Sequence, residues 1–206
     1  MNKYIAELIG TFFLVLTIGC TVISGVALAP LAIGAALMVM VFAGGHVSGA
    51  HFNPAVTLAV WIRGKCNTKD VVPYWISQII GAVLASLAVK FLVGAPAKPP
   101  GDLNVAKSIL AEFLFTFALA YVVLNVATAK GTAGNSFYGL AIGMTVMTGA
   151  FAVGGISGGA FNPAVAVGIS VMGLAAWSNI WIYLVGNLLG GAVAALAFKT
   201  LNPEDN

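Results

Sequence analysis

The sequence predicts an all-α membrane protein with six transmembrane helices and two re-entrant half-helices that arise from an inverted repeat. Three observations predict this fold: a composition too apolar for a water-facing surface, six long apolar runs, and a duplicated segment with three runs in each copy. Only 7% of the 206 residues are charged and 60% are hydrophobic, whereas a soluble domain carries roughly 25% charged residues. This composition excludes a soluble enzyme, a nucleic-acid-binding protein and a disordered chain.

Six apolar runs approach or exceed the roughly 20 residues that a spanning helix needs. They cover about 4–26, 31–46, 72–93, 106–128, 137–154 and 178–200. The first run follows a short basic start, as in a signal peptide, but it is too long for the apolar part of such a peptide and it contains Glu7. We therefore expect this run to form the first transmembrane helix.

Two shorter apolar segments, 53–62 and 162–171, follow the second and the fifth run. Each has about ten residues, which is too short to cross a bilayer. Irregular backbone within a membrane is tolerated where it lines a cavity. We therefore expect two re-entrant half-helices.

The basic residues predict the orientation of the chain in the membrane. An even number of spans places both termini on one side, and most bases fall on that side: Lys3, Arg63, Lys65, Lys69, Lys130 and Lys199. The positive-inside rule assigns that side to the cytoplasm. We expect a multi-pass protein of the plasma or cytoplasmic membrane, surrounded by lipid, with both termini cytoplasmic.

An internal repeat relates the two halves of the chain. Segment 31–60 aligns without a gap with 140–169, at the offset of 109 that separates Asn53 from Asn162, and roughly half of the residues are identical. Each half has an odd number of spans, so the second half is inverted in the membrane, and inverted repeats place a transport site near the midplane. We expect a single channel domain, 1–206, with repeats 1–94 and 106–206 joined by the external connector 95–105.

Each half-helix begins with the same tripeptide, Asn53-Pro54-Ala55 and Asn162-Pro163-Ala164. Asparagine is a strong N-cap, and proline suits the first helical position. Half-helices that enter from opposite faces would point their positive ends at the bilayer centre. Such a field repels cations and hydronium but not neutral molecules, and the asparagine amides can donate to a passing oxygen.

Small residues precede both tripeptides and allow an extended backbone at the centre of the membrane. Free carbonyl groups there can replace the hydration of a solute. We expect the backbone of five residues to line the pathway: Gly49, Ala50, His51, Gly158 and Ala160.

Four motifs resemble those of the aquaporin, or major intrinsic protein, superfamily: AELIGTF, HVSGAHFNPAVT, AEFLFTF and ISGGAFNPAV. The resemblance covers essentially the whole chain. It implies an aquaporin-like fold and a homotetramer with one pore in each subunit. It also implies passive passage of water and small uncharged solutes, with protons and ions excluded. Two cysteines without a CxxC spacing indicate no metal site, and we expect no cofactor.

Glu7 and Glu112 occupy equivalent places in the first span of each repeat. A carboxylate within a membrane is costly and indicates a function. One interpretation is proton or ion coupling in a secondary transporter. The other is structural: each acid accepts hydrogen bonds from the backbone of a re-entrant loop, and this is the role that the family resemblance implies.

The resemblance also implies which residues form the outer selectivity filter. In the family, four positions narrow the pore, often with aromatic residues and an arginine. Here they are Ile33, Ala150, Gly159 and Val165, and Arg63 is the only arginine in the chain. A filter without large, charged or donor side chains predicts passage of solutes such as glycerol, urea, ammonia and peroxide.

Two other functions remain open from the sequence. A coupled secondary transporter would use the inverted repeat and the buried acids. A non-conducting structural membrane protein would keep the fold with a vestigial pore. Measured solute flux, and its dependence on a pH gradient, separates these alternatives from a passive channel.

Overall fold

The computed structural model describes residues 1–205, and every regular element in this part of the chain is helical. Eight α-helices follow one another: α1 (Asn2–Ile23), α2 (Ala29–Ser48), α3 (Pro54–Ile62), α4 (Thr68–Val93), α5 (Val105–Ala127), α6 (Tyr138–Ser157), α7 (Pro163–Met172) and α8 (Ile180–Leu201). Short 3-10 turns occur at Lys130–Thr132, Trp177–Asn179 and Pro203–Asp205.

Six of these helices are long and apolar enough to cross a membrane: α1, α2, α4, α5, α6 and α8. The two others, α3 and α7, have nine and ten residues and are the half-helices that the sequence predicts. The all-α fold with six spanning helices is thereby confirmed.

Several helix boundaries differ from those predicted by apolarity. The first helix ends at Ile23 rather than 26, because Gly25 adopts φ +67°, a left-handed conformation that ends helices. Helix α4 begins at Thr68, before the apolar run, and carries Asp70 in its first turn. An acid there suits the positive end of the helix dipole, which an apolar pattern cannot reveal.

The contacts between helices repeat in the two halves of the chain. Helix α1 packs against α2 and α4, and α5 packs in the same way against α6 and α8. The half-helices cross over, since α3 packs against α8 and α7 packs against α4. Each half-helix is therefore held by the last spanning helix of the other repeat.

Helices α2 and α6 cross at two repeat-equivalent glycines, Gly34 and Gly143. A Cβ on Gly34 would lie 2.7 Å from the carbonyl oxygen of Gly143, and a Cβ on Gly143 would collide with the carbonyl of Gly34. Small residues at such a crossing let two membrane helices approach closely. Equivalent residues that meet each other indicate that the pseudo-twofold axis passes through this crossing.

The polarity of this protein is inverted relative to that of a soluble domain. Large apolar side chains such as Phe13, Leu84 and Phe151 are exposed on the outside, whereas Glu7 and Glu112 are fully buried. An apolar exterior suits surrounding lipid. The buried polar groups instead lie around the two half-helices.

Candidate functional site

Each asparagine of the repeated tripeptide caps its own half-helix. The side-chain oxygen of Asn53 accepts a hydrogen bond from the backbone N–H of Ala55 at 2.8 Å, and that of Asn162 accepts from Ala164 at 2.9 Å. Both asparagines have extended backbone, with φ −158° and −163°, as an N-cap requires. The following prolines, Pro54 and Pro163, begin the helices.

The two caps also bind each other's loops. The amide nitrogen of Asn53 donates to the carbonyl of Phe161 at 2.9 Å, and that of Asn162 donates to the carbonyl of Phe52 at 2.8 Å. A side-chain amide has two N–H donors. One donor of each asparagine is therefore left for the cavity that both side chains line.

Glu7 binds the loop ahead of the first half-helix. Its carboxylate accepts hydrogen bonds from the backbone N–H groups of His51 and Phe52 at 2.9 and 2.6 Å. It also accepts from the hydroxyl of Ser48 at 2.6 Å and from the side-chain amide of Gln78 at 2.8 Å. Every contact uses the carboxylate as an acceptor.

Glu112 makes the equivalent contacts with the second loop. Its carboxylate accepts from the N–H groups of Ala160 and Phe161 at 3.0 and 2.7 Å, and from the hydroxyl of Ser157 at 2.7 Å. The residue equivalent to Gln78 is Asn187, whose side-chain oxygen instead accepts from Thr116 at 2.9 Å. The second carboxylate therefore has one donor fewer than the first.

Phe52 and Phe161 both have φ +49°, which is rare for residues other than glycine. A conformation of this kind costs about 1–3 kcal/mol and persists only where the surroundings impose it. Here a buried glutamate binds the N–H group of each phenylalanine, and the opposite asparagine binds its carbonyl. The carboxylates and caps thus hold both loops in a strained shape.

Two tyrosines that the sequence analysis did not assign complete the loop supports. The hydroxyl of Tyr74 donates to the carbonyl of Ser48, and that of Tyr183 donates to the carbonyl of Ser157, both at 2.7 Å. Both pairs are related by the repeat offset of 109. Identity at equivalent positions of the repeat is the signal that identifies them.

A central cavity of about 290 Å³ lies against the N-termini of both half-helices. The structure brings all four predicted filter residues to this cavity: Ile33, Ala150, Gly159 and Val165. Among the described residues that line it, the polar side chains are those of His51, Asn53 and Asn162.

The predicted backbone residues divide between two cavities. Ala50, His51, Gly158 and Ala160 line the central cavity, whereas Gly49 lines a second cavity on the side of Lys3 and Asp70. Gly49 and Gly158 are equivalent left-handed caps, with φ +86° and +92°, at the ends of α2 and α6.

Two further cavities extend the central one in opposite directions. One cavity, of about 440 Å³, lies on the side of Lys3, is called the inner cavity here, and shares His51 and Val123 with the central one. The other, of about 320 Å³, lies on the side of Asp102, is called the outer cavity, and shares residues such as Ile18 and Gly158. The central cavity is mostly apolar, whereas charged side chains line the other two, including Lys65 in the inner cavity and Asp102 in the outer cavity. The three adjoining cavities mark a path from one side of the helix bundle to the other.

Charged residues cluster at the inner end of this path. Asp70 accepts hydrogen bonds from Lys3 and Tyr4 at 2.6 and 2.7 Å. Arg63, at the end of α3, is buried, and its guanidinium lies 3.6 Å from Asp205. Burial raises the pKa of the Cys66 thiol, which lines the inner cavity, and the negative charge of Asp70 adds to the rise.

Six spanning helices around a chain of cavities, with two half-helices that meet at its centre, define a multi-pass membrane channel. The sequence matches the family model "Major intrinsic protein" over residues 1–198, and the chain belongs to this family. The family membership predicted from the four sequence motifs is confirmed.

Several named proteins are similar to this chain over most of its length. "Glycerol uptake facilitator protein-like 6" of Lactiplantibacillus plantarum is 38% identical, with 100% of both chains covered. "Aquaporin NIP1-1" of Zea mays is 36% identical over 98% of this chain and 75% of that protein. The fold is that of the aquaglyceroporin from Plasmodium falciparum, with a TM-score of 0.84 at 21% identity over 99% and 98% of the two chains.

These relationships establish the general function. The protein is a passive channel for water and small neutral solutes, and it is not an enzyme. It is an integral membrane protein that crosses the bilayer several times.

Proposed function

We propose that this channel has a wide, apolar filter and conducts solutes of urea, ammonia, peroxide and glycerol size in addition to water. The observation that carries the proposal is the lining of the central cavity. Ile33, Ala150, Gly159 and Val165 all reach it, and none of their side chains carries a charge or a hydrogen-bond donor. The similarity to a glycerol uptake facilitator of Lactiplantibacillus plantarum supports the same solute class.

Water gains little from such a filter. A molecule that enters an apolar ring gives up hydrogen bonds to bulk water, and an unmade hydrogen bond costs about 1–3 kcal/mol. The replacements are backbone carbonyls and the amides of Asn53 and Asn162. Larger neutral solutes gain apolar contact with the lining. The proposed pore therefore passes them more readily than a narrow, donor-rich filter would.

Proton exclusion in the proposed pore rests on the two half-helices. Both N-termini lie at the central cavity, and each carries a partial positive charge. The filter adds no second positive barrier, because the only arginine, Arg63, ends α3 and pairs with Asp205 away from the filter. The dipoles repel hydronium while neutral solutes pass.

We assign Glu7 and Glu112 a structural role in this pore. Neither glutamate lines the central cavity, and both carboxylates bind the loops ahead of the half-helices. A transporter coupled through these acids would need their carboxylates at the solute site, together with alternating access. The three adjoining cavities likewise favour a conducting pore over a vestigial one.

The assembly and placement of the channel complete the proposal. We infer a single channel domain with repeats 1–94 and 106–206, four copies of which form a homotetramer with one pore in each subunit. The basic residues on the side of Lys3, Arg63 and Lys130 support a cytoplasmic location of both termini. They also support placement in the plasma or cytoplasmic membrane.

A substitution at Val165 tests the filter. Val165→Arg narrows the ring and adds directed donors, and we expect it to reduce glycerol and urea flux more than water flux. The matched variant Val165→Leu adds bulk without charge and should reduce all fluxes without this preference. Stopped-flow light scattering on proteoliposomes at equal protein density measures the water, urea and glycerol fluxes of both variants. An unchanged ratio of urea to water flux in Val165→Arg would place the filter elsewhere.

A further inference from the structure

The central and outer cavities meet at a ring of residues that line both of them. Five of the described residues do so: Ile18, Val22, Gly154, Gly158 and Ile169. The four residues of the proposed filter line the central cavity but not the outer one. The junction is therefore a separate ring of the path, closer to its outer end than the proposed filter.

Gly154 leaves this junction open. A Cβ on Gly154 would meet no atom of residues 1–205 within 4 Å, its own stretch of helix aside. A Cβ on Gly34 or Gly143, in contrast, would collide with the facing helix, as expected of small residues at a helix crossing. The glycine at 154 is thus not required by helix packing, and the space in front of it belongs to the path.

The inverted repeat shows what fills the equivalent space at the inner end. Helices α2 and α6 begin and end at positions that are 109 residues apart, so Gly45 is the counterpart of Gly154, and Tyr138 is the counterpart of Ala29. The ring of Tyr138 covers Gly45, because a Cβ there would lie 3.4 Å from Cε2 of the ring. At the outer end the equivalent residue is Ala29, which has no ring and lines the central cavity together with Gly154.

We propose that Gly154 and Ala29 are specificity-determining residues, which together set the upper size limit for solutes that pass between the outer and central cavities. This inference rests on the proposed function. The side chains at the junction, those of Ile18, Val22 and Ile169, are apolar, so the added width suits methyl groups rather than further polar groups. The favoured class is small neutral solutes whose polar group carries alkyl substituents, such as N,N′-dimethylurea.

Urea and N,N′-dimethylurea test this size limit, because they share one polar group and differ only in methyl groups. Gly154→Leu fills the open space with an apolar side chain that also favours a helix. We expect the ratio of dimethylurea to urea permeability to fall by about tenfold, the lower end of what one methylene group decides in an apolar site. Water is smaller than both solutes, and its flux should fall much less.

A second variant rebuilds the inner arrangement at the outer end. Ala29→Tyr supplies the ring that Tyr138 provides over Gly45, and it should lower the ratio of dimethylurea to urea permeability in the same way. Because this substitution lies on α2 and Gly154 lies on α6, a common effect of the two variants points to the space between them rather than to damage of one helix.

Gly155→Leu is the matched control. Gly155 is the next residue of the same helix, and a Cβ on it also meets nothing within 4 Å, but it lines the outer cavity and not the central one. The same substitution at this position should leave the permeability ratio unchanged. Val165→Leu provides the comparison with a size limit that lies deeper, at the proposed filter.

Stopped-flow light scattering on proteoliposomes at equal protein density measures the three permeabilities of every variant, and thermal unfolding in detergent checks that each is folded. An unchanged ratio in Gly154→Leu and Ala29→Tyr, or an equal fall in Gly155→Leu, overturns the inference. So does a wild-type channel that passes urea but excludes dimethylurea, and both results leave the proposed function standing. The absence of any solute flux above that of empty vesicles refutes the inference and the proposed function together.

Discussion

The side-chain amide of Asn53 donates to the backbone carbonyl of Phe161, 2.9 Å away, and so ties the cap of one half-helix to the loop of the other. The reciprocal bond from Asn162 to Phe52 is 2.8 Å long. These two bonds cross the boundary between the repeats at its centre. They oppose the relative movement of repeats that alternating access requires and favour a fixed, passive pore.

Replacing either asparagine by alanine should destabilise the protein. Asn53→Ala removes a helix cap, at about 0.5–2 kcal/mol, together with the bond to Phe161. We expect a lower midpoint of thermal unfolding in detergent than for Asn125→Ala, which removes a side-chain bond within one helix, to Tyr121. Equal midpoints for the two variants would contradict a structural role of the crosswise bonds.

The two buried acids should differ in the cost of their removal. Glu7→Leu leaves four donors without an acceptor and Glu112→Leu leaves three, at about 1–3 kcal/mol for each group. We therefore expect Glu7→Leu to lower thermal stability more. The glutamine variants retain part of the bonding and should cost less. A stable Glu7→Gln channel with altered proton-coupled flux would instead support a transporter.

Thiol reagents should distinguish the two ends of the pore. Neither cysteine lies at the proposed filter position Gly159, so we expect mercurials applied from the outer side to inhibit weakly or not at all. Cys66 lines the inner cavity, so an impermeant thiol reagent on that side should reduce solute flux. Cys66→Ser should abolish this effect and Cys20→Ser should preserve it. Full sensitivity of Cys66→Ser would show that the reagent acts elsewhere.

The reaction of thiol reagents with Cys66 should depend on pH. The reactive species is the thiolate, and burial, with the charge of Asp70, raises the pKa of Cys66. A raised pKa leaves less thiolate at neutral pH, so labelling should be slow there. The labelling rate should keep rising with pH beyond the pKa range of an ordinary thiol. Labelling rates followed by mass spectrometry check this. A rate that levels off near neutral pH contradicts it.

The ion pair between Arg63 and Asp205 should stabilise the C-terminal end of the first half-helix, α3. The side chains of Arg63 and Asp205 are 2% and 9% exposed, so Asp205→Asn leaves a buried cation without its counter-charge. The guanidinium then keeps its place 4.7 Å from the ring of Phe198 and a long hydrogen bond, 3.5 Å, to the carbonyl of Thr128. We expect a loss of about 1–3 kcal/mol. Lys130→Ala removes a cation that is 68% exposed and should cost much less. A larger effect of Lys130→Ala in thermal unfolding would overturn this assignment.

The parts of the fold that depend on local sequence were predictable, and those that depend on distant contacts were not. Apolar length and the repeated Asn-Pro-Ala define the spans and both half-helices. The start of α4 at Thr68 was missed because Asp70 is stabilised by Lys3 from another helix. A pattern along the chain does not show such a partner.

The residues of the candidate site were likewise predictable only where the local sequence indicates them. The acids Glu7 and Glu112 were identified because a charge inside an apolar run is conspicuous. Gln78 and Tyr74 were not, because amides and tyrosines are unremarkable in a span until their partners are known. For Tyr74 the only sequence signal was the repeat, since Tyr74 and Tyr183 are separated by the same offset as the two tripeptides.

The central claim, a wide apolar filter in a passive channel, is tested most directly by the fluxes of water, urea and glycerol through the purified wild-type protein. Proteoliposomes at known protein density, followed by stopped-flow light scattering with a pH-sensitive dye inside, give all of these fluxes and the proton leak together. We predict modest water flux per pore, clear urea and glycerol flux that does not depend on a pH gradient, and no proton flux above empty vesicles. Rapid water flux with rejection of every larger solute would contradict the claim.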